Sequence, residues 1–259
     1  MRTDGVLPPD ENAHPGDVPD DRTSSGVAVR GVLIVLLTVA TGATDAIGFI
    51  RLGGVFTSVM TANMVLLGIS GVRKDGSLAL HSGTALIGFV VGSWLGALVA
   101  GPRTQQQGIW PRRISAALAV ELGAFVFFGI WWEASAGHPS GNATYVLIAV
   151  NALALGIQSG AVLRFGITGM STTYLTGTLT QIMSGLALRK RHIPTRSLAV
   201  MLALVTGAAL GALLVIEAPR AAPAIPLGLL VVVLLVATTF FRGSSSGASD
   251  PLTNRVQGR

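Results

Sequence analysis

The residues in this chain able to do chemistry are few, and the costliest of them is Asp45. It lies in the stretch Thr41 to Asn63, TGATDAIGFIRLGGVFTSVMTAN, inside an apolar run long enough to cross a membrane. A charge at the bilayer centre costs roughly 2.5 to 3.5 kcal/mol on insertion scales, so a carboxylate there points first to the carriage of a proton or cation. The competing reading makes Asp45 the counter-ion of Arg51, a structural pair near a helix end. Arg51, the Gly53-Gly54 break and the polar side chains of Thr57, Ser58, Thr61 and Asn63 follow directly. That order reads as a helix stopped and restarted inside protein. Glu121, in AALAVELGAFVFF, is the other acid well inside an apolar run. It fits a second coupling carboxylate or a structural partner of Arg164 or Arg51. Asn151, Gln158 and Gln181 fit interhelical hydrogen bonds, worth about 0.6 kcal/mol each.

Other chemistries are poorly served. The chain has no cysteine, which removes disulfides, thiolate nucleophiles and Cys-ligated zinc. His14, His81, His138 and His192 are too scattered for a metal motif, and no Gly-x-x-x-x-Gly-Lys-Ser/Thr phosphate loop is present. Ser171 with His81 gives a remote intramembrane-hydrolase reading, without oxyanion donors to support it. The chain is therefore read as a non-enzyme with no cofactor and no metal.

The elements that must position these residues follow from composition. Half of the 259 residues are hydrophobic and 12% are charged, against about 25% charged in soluble domains. The expected class is all-α, a polytopic transmembrane bundle. The formal charge of +6 is spread between apolar runs, which fits positive-inside topology better than a nucleic-acid surface. Residues 1–29 hold six of the twelve acidic residues and four prolines, and are expected to be a disordered acidic tail with no cleaved signal. Residues 243–259 are expected to be a second disordered tail. Eight apolar segments fall near 31–50, 55–70, 78–101, 114–132, 143–163, 171–188, 197–216 and 224–241. A spanning helix needs about 20 residues, so the second and sixth fall short.

The transmembrane region, 30–242, divides into halves at about 31–132 and 143–241, with the boundary in the loop 133–142. Asp45 to Gly53 aligns with Gln158 to Gly166, Thr61 and Asn63 with Thr176 and Thr178, and GSWLGAL (92–98) with GAALGAL (207–213). Basic residues test the topology. Eight full crossings with the N-terminus inside put eight inside and six outside. If segments two and six enter and return on one side, Arg30, Arg103, Arg112, Arg113, Arg164, Arg189, Lys190, Arg191, Arg196 and Arg242 are inside. Only Arg51, Arg73, Lys74 and Arg220 remain outside, which obeys the positive-inside rule better. That arrangement places Trp131-Trp132-Glu133 at the outer interface. It gives each half three crossings, so the halves are inverted. Inverted repeats with paired broken helices point to a transporter site. Glycines at four-residue spacing, Gly88, Gly92 and Gly96 or Gly207 and Gly211, read as stripes where helices approach closely.

The stretches TDAIGFIRLGGVFTSVMTANMVLLG and IQSGAVLRFGITGMSTTYLTGTLT resemble the YoaK-like family of bacterial integral membrane proteins, labelled a domain of unknown function. The resemblance covers about residues 30 to 242 and departs at Ala62, where Gly is expected. It implies a small multi-pass protein of the bacterial cell membrane, and it brings no substrate. The residues themselves lead to a secondary transporter or permease of a small polar or anionic solute, with a membrane scaffold or regulatory subunit as the alternative. The expected coupling residues are Asp45 and Glu121. The expected solute contacts are Thr61, Asn63, Thr176, Thr178, Gln158, Arg51 and Arg164. The bilayer and the solute are the partners, homo-oligomerisation is compatible, and both termini are expected in the cytoplasm.

Overall fold

In the computed structural model, residues 21–102, 109–165, 175–188 and 195–242 are described. They form α1 (Asp21–Arg51), α2 (Met60–Arg73), α3 (Gly76–Ala100), α4 (Arg112–Ala134), α5 (Asn142–Val162), α6 (Leu175–Ala187), α7 (Thr195–Glu217) and α8 (Ala224–Arg242), with 3-10 turns at Leu163–Phe165 and Pro219–Ala221. Six helices are long and apolar enough to span a bilayer. The other two, α2 and α6, have 14 and 13 residues, about 21 and 20 Å at 1.5 Å per residue, too short for a ~30 Å hydrocarbon layer. α1 begins at Asp21, inside the expected tail. Its early turns are held by tertiary contact, which hydropathy does not see: Arg30 donates to the Ile109 carbonyl at 3.4 Å, and a Cβ on Gly26 would crowd Ile109.

The glycine stripes set the packing. Along α3, Gly92 and Gly96 lie against the backbone of Leu153 and Ile157 in α5; along α7, Gly207 and Gly211 lie against Val39 and Ala43 in α1. A Cβ at any of these would overlap a carbonyl oxygen or Cα of the facing helix, so only glycine permits the approach. Both pairs run parallel, since residue numbers rise together. Gly156 meets Phe89 and Ser93 as Gly42 meets Leu204 and Ala208. The two halves therefore pack by the same rule, with α1 and α5 as equivalents and α3 and α7 as equivalents. In this register Gly42 matches Gly156, and Asp45 matches Ser159, one residue beyond the Gln158 of the sequence alignment. The same correspondence relates α1 against α8 to α5 against α4.

Helix directions follow from contacts at the two ends. At one end Gly53, just past α1, has the His81 ring where its Cβ would be, and that ring lies 4.8 Å from the ring of Tyr145. The end of α1 is thus beside the starts of α3 and α5. Deeper in, Gln158 Nε2 donates to Thr41 Oγ1 at 2.9 Å. α1 accordingly runs antiparallel to α3 and α5. The far end gathers the start of α1, the start of α4 and the end of α8, where Trp110 stacks on Phe241 at 5.7 Å.

These directions decide the crossing number. α1 and α3 meet at one face, so the chain between them, α2 included, returns to the side it left. α5 is antiparallel to α7 for the same reason, so the chain between them also ends on the face where it began. Six crossings result, and the halves are inverted. Trp131-Trp132-Glu133 lies at the end of α4, on the face that also holds Arg51 and Arg220. Trp132 is fully buried, with its indole N–H donating to the Pro219 carbonyl at 2.8 Å, while Trp131 stays 40% exposed and Glu133 lies 3.9 Å from Arg220. A buried Trp needs an acceptor for its N–H, and the α7–α8 corner supplies one.

Candidate functional site

The break between α1 and α2 is built from two glycines and one carboxylate. Gly53 and Gly54 take φ of +88° and +73°, the left-handed region that turns the chain back beneath the end of α1. The returning strand brings Thr57 and Ser58 down to Asp45, about 12 Å along the helix from Gly53. Asp45 Oδ1 accepts from the Thr57 and Ser58 backbone N–H groups at 2.7 and 2.8 Å and from Thr57 Oγ1 at 3.1 Å, and Oδ2 accepts from Ser58 Oγ. Backbone N–H groups without a helical partner must be met inside a bilayer, and this carboxylate meets two. α2 then rises about 21 Å back to the start of α3, where Asp75 caps the Leu78 N–H at 3.0 Å.

Asn63 completes the turn. Its Oδ1 accepts from the Phe56 N–H at 3.0 Å and its Nδ2 donates to the Phe56 carbonyl, so one buried amide serves both backbone groups of Phe56. The side chain expected to hold solute therefore holds the loop. Thr61, two residues earlier, is exposed on another face of α2. The counter-ion reading of Asp45 also needs correction. Arg51 turns away from it and donates to the Val215 carbonyl of α7 at 3.2 Å. Glu121 likewise forms no ion pair with Arg51 or Arg164 among the described residues, and Arg220 lies beside Glu133 instead.

Arg51 and Arg164 lie at the ends of equivalent helices in inverted halves, and so stand at opposite faces of the bundle. They cannot contact one small solute together. The side chains of Thr176, Thr178 and Gln181, and Ser171 altogether, lie outside the described residues. Glu121 is 1% exposed with Oε2 unpartnered. Asn151, expected as interhelical glue, is fully buried with neither amide atom hydrogen-bonded, and Gln158 keeps Oε1 unpartnered although its Nε2 reaches Thr41.

Thr57 and Ser58 were noted in the sequence only as polar residues in an apolar run, and Thr41 only as the start of the stretch. The available signal was the pair of glycines between a buried acid and two consecutive hydroxyl residues. A reversal there brings the two sides together.

Chemically, the Asp45 arrangement is an acceptor saturated by four donors. The Glu121 region is the reverse, with acceptors left unfilled.

Comparison with known proteins agrees with this architecture. No solved structure matches the chain. It is 34% identical over 163 residues to the UPF0700 transmembrane protein YoaK of Bacillus subtilis (strain 168), an alignment covering 63% of this chain and 70% of that protein. The family model described as "Protein of unknown function (DUF1275)" matches residues 33–236, from within α1 to within α8. With six apolar spanning helices, two inverted halves and that match across most of its length, the chain is a multi-pass membrane protein of the DUF1275 family.

Proposed function

We propose that the protein is a secondary transporter or permease of a small polar or anionic solute, proton-coupled through Asp45 and without enzymatic activity. The observation carrying this reading is the break itself: a helix turned back inside the bundle and latched at a buried carboxylate, in one of two inverted halves. Broken helices at the interface of inverted repeats are the usual setting of a transporter binding site. A proton on Asp45 would replace an acceptor with a donor and loosen the Thr57–Ser58 latch. The α2 segment is then free to shift against α3, a motion of the kind alternating access needs.

Solute is assigned to Thr61 at the start of α2 and to Thr176 and Thr178 in the matching half. Gln158 lies beside Thr41 of α1, and Asn63 acts as the loop's brace. Arg51 and Arg164, at opposite faces, would draw an anion to either mouth. The face holding Arg30, Arg112, Arg113, Arg164 and Arg196 is assigned to the cytoplasm of a bacterial cell, with both termini there. The opposite face carries Arg51, Arg73, Lys74 and Arg220 among Asp75, Glu133 and Glu217.

Uptake by proteoliposomes, with and without an imposed pH gradient, tests the reading. Gradient-dependent flux of a small anion or polar metabolite is expected, and no flux across a broad panel would leave the scaffold reading in its place. Asp45→Asn should abolish the pH response; full pH-driven transport in that variant would make Asp45 purely structural. Because the chain has no cysteine, single cysteines at 74 and 190 report sidedness. Labelling of position 74 from the cytoplasm alone would reverse the orientation.

A further inference from the structure

At the end of the bundle where α4 starts and α8 finishes, two spanning helices meet with polar residues on facing turns. Arg112 and Ser115 are three residues apart in the first turn of α4, and Ala237, Thr238 and Phe241 fall within one turn near the end of α8, so each set shares a face of its helix. Together with Trp110 they line a cleft of about 320 Å³. Trp110 is buried, stacks on Phe241 at 5.7 Å and donates its indole N–H to Ser115 Oγ at 2.9 Å. That bond fills an acceptor position on the Ser115 hydroxyl, whose own proton is then what it has to offer. Thr238 differs, because its hydroxyl already donates to the Leu234 carbonyl at 2.8 Å. It serves as wall and not as donor.

Arginines set the sign of this end. Arg112 lines the cleft, Arg30 reaches the Ile109 carbonyl next to Trp110 at 3.4 Å, and Arg196 is near enough to Arg30 to repel it. Among the side chains described, the acids lie elsewhere: Asp75, Glu133 and Glu217 at the opposite face, and Glu121 nine residues further into α4, about 13 Å. The start of α4 and the end of α8 bring opposite dipole ends, which offset one another. The surplus of positive charge therefore favours an anion, and a guanidinium fork beside a hydroxyl donor suits a phosphate. Position indicates where that phosphate comes from. Both helices are long and apolar enough to span the bilayer, so their ends lie at the level of the lipid headgroups, where aromatic side chains also collect. The cleft is at the lower end of the roughly 300–1,000 Å³ usual for small-ligand sites. It has room for a headgroup phosphate and not for a whole lipid. Further along the same two helices Val120 and Leu235 are exposed, an apolar surface on which acyl chains can rest. We infer that Arg112 and Ser115, framed by Trp110 and Phe241, bind the phosphate of one anionic phospholipid in the cleft between α4 and α8. Basic pockets between spanning helices are a recurrent setting for such headgroups. The inference stands independently of the transport reading.

The test uses purified full-length protein in a neutral detergent. Thermal unfolding is followed as phosphatidylglycerol or phosphatidylcholine is added, and retained lipid is counted by native mass spectrometry. Phosphatidylglycerol should raise Tm saturably by about 5 °C, with one lipid retained per chain. Phosphatidylcholine, whose choline cancels the phosphate charge, should give a much smaller rise. Arg112→Gln should remove most of the difference between the two lipids, and Ser115→Ala should weaken phosphatidylglycerol binding severalfold. Arg73→Gln, at the opposite face, should keep the full response. If Ser115→Ala does not fold, Trp110→Phe takes its place, since it keeps a ring against Phe241 and loses the indole donor. Equal responses to the two lipids, or an equal phosphatidylglycerol response in wild type and Arg112→Gln, overturn the site. Inorganic phosphate at millimolar concentration should leave Tm unchanged; a rise as large as that given by phosphatidylglycerol would show that the cleft takes free phosphate and overturn the lipid assignment. No solute or gradient enters these measurements, so failure here leaves the transport reading untouched, and absence of solute flux leaves the lipid site standing.

Discussion

Asp45 and Glu121 are the same kind of group in the same kind of place, a carboxylate buried in a spanning helix, yet the fold treats them oppositely. Around Asp45 the chain turns back on itself and delivers two backbone N–H groups and two hydroxyls to one acceptor. Glu121 sits on the buried face of α4 that also carries Leu118, Phe125 and Phe128, and one of its carboxyl oxygens goes without a partner. The first group closes a turn of its own chain, and the second is left with an open acceptor. A buried acid in a membrane helix therefore does not announce its role by its cost. What separates the two is the supply of donors.

The largest expected effect tests the latch. Asp45→Leu removes an acceptor and strands the buried N–H groups of Thr57 and Ser58, each costing about 1 to 3 kcal/mol when unmet. A loss of about 4 kcal/mol is expected by denaturant or thermal unfolding in detergent. Glu121→Leu should be neutral or stabilising, because an apolar group replaces a buried carboxyl with an unfilled acceptor. Equal destabilisation by both changes would erase the contrast between the two sites.

Asn63→Ala comes next. It leaves the Phe56 N–H and carbonyl without their amide partner, for about 2 kcal/mol, and should disturb the start of α2. Thr57→Val follows at about 1 kcal/mol, since the hydroxyl is lost while the backbone N–H still reaches Asp45. A Thr57→Val effect as large as that of Asp45→Leu would move the latch from the backbone to the side chains. Gln158→Leu is the smallest, about 0.6 kcal/mol for one interhelical hydrogen bond in a membrane bundle.

The sequence by itself determined the membrane class, the number of apolar segments, the shortness of the second and sixth, and the kinship of the halves. These rest on properties carried along the chain: hydropathy over a span's length, basic residues between spans, and glycine at helical spacing. The break at Gly53-Gly54 was legible for the same reason, since a local conformation needs a local residue. Tertiary structure alone decided who meets whom. Arg51 goes to Val215 rather than Asp45, Trp132 reaches the Pro219 carbonyl at the α7–α8 corner, and Asn63 braces Phe56. Helix directions came from Gly53 against His81 and from Gln158 against Thr41, contacts far apart in sequence. The repeat register shifted by one residue between alignment and packing, because apolar helices align almost as well one residue off. A glycine facing a carbonyl has no such latitude, since a misplaced Cβ would overlap the backbone it meets.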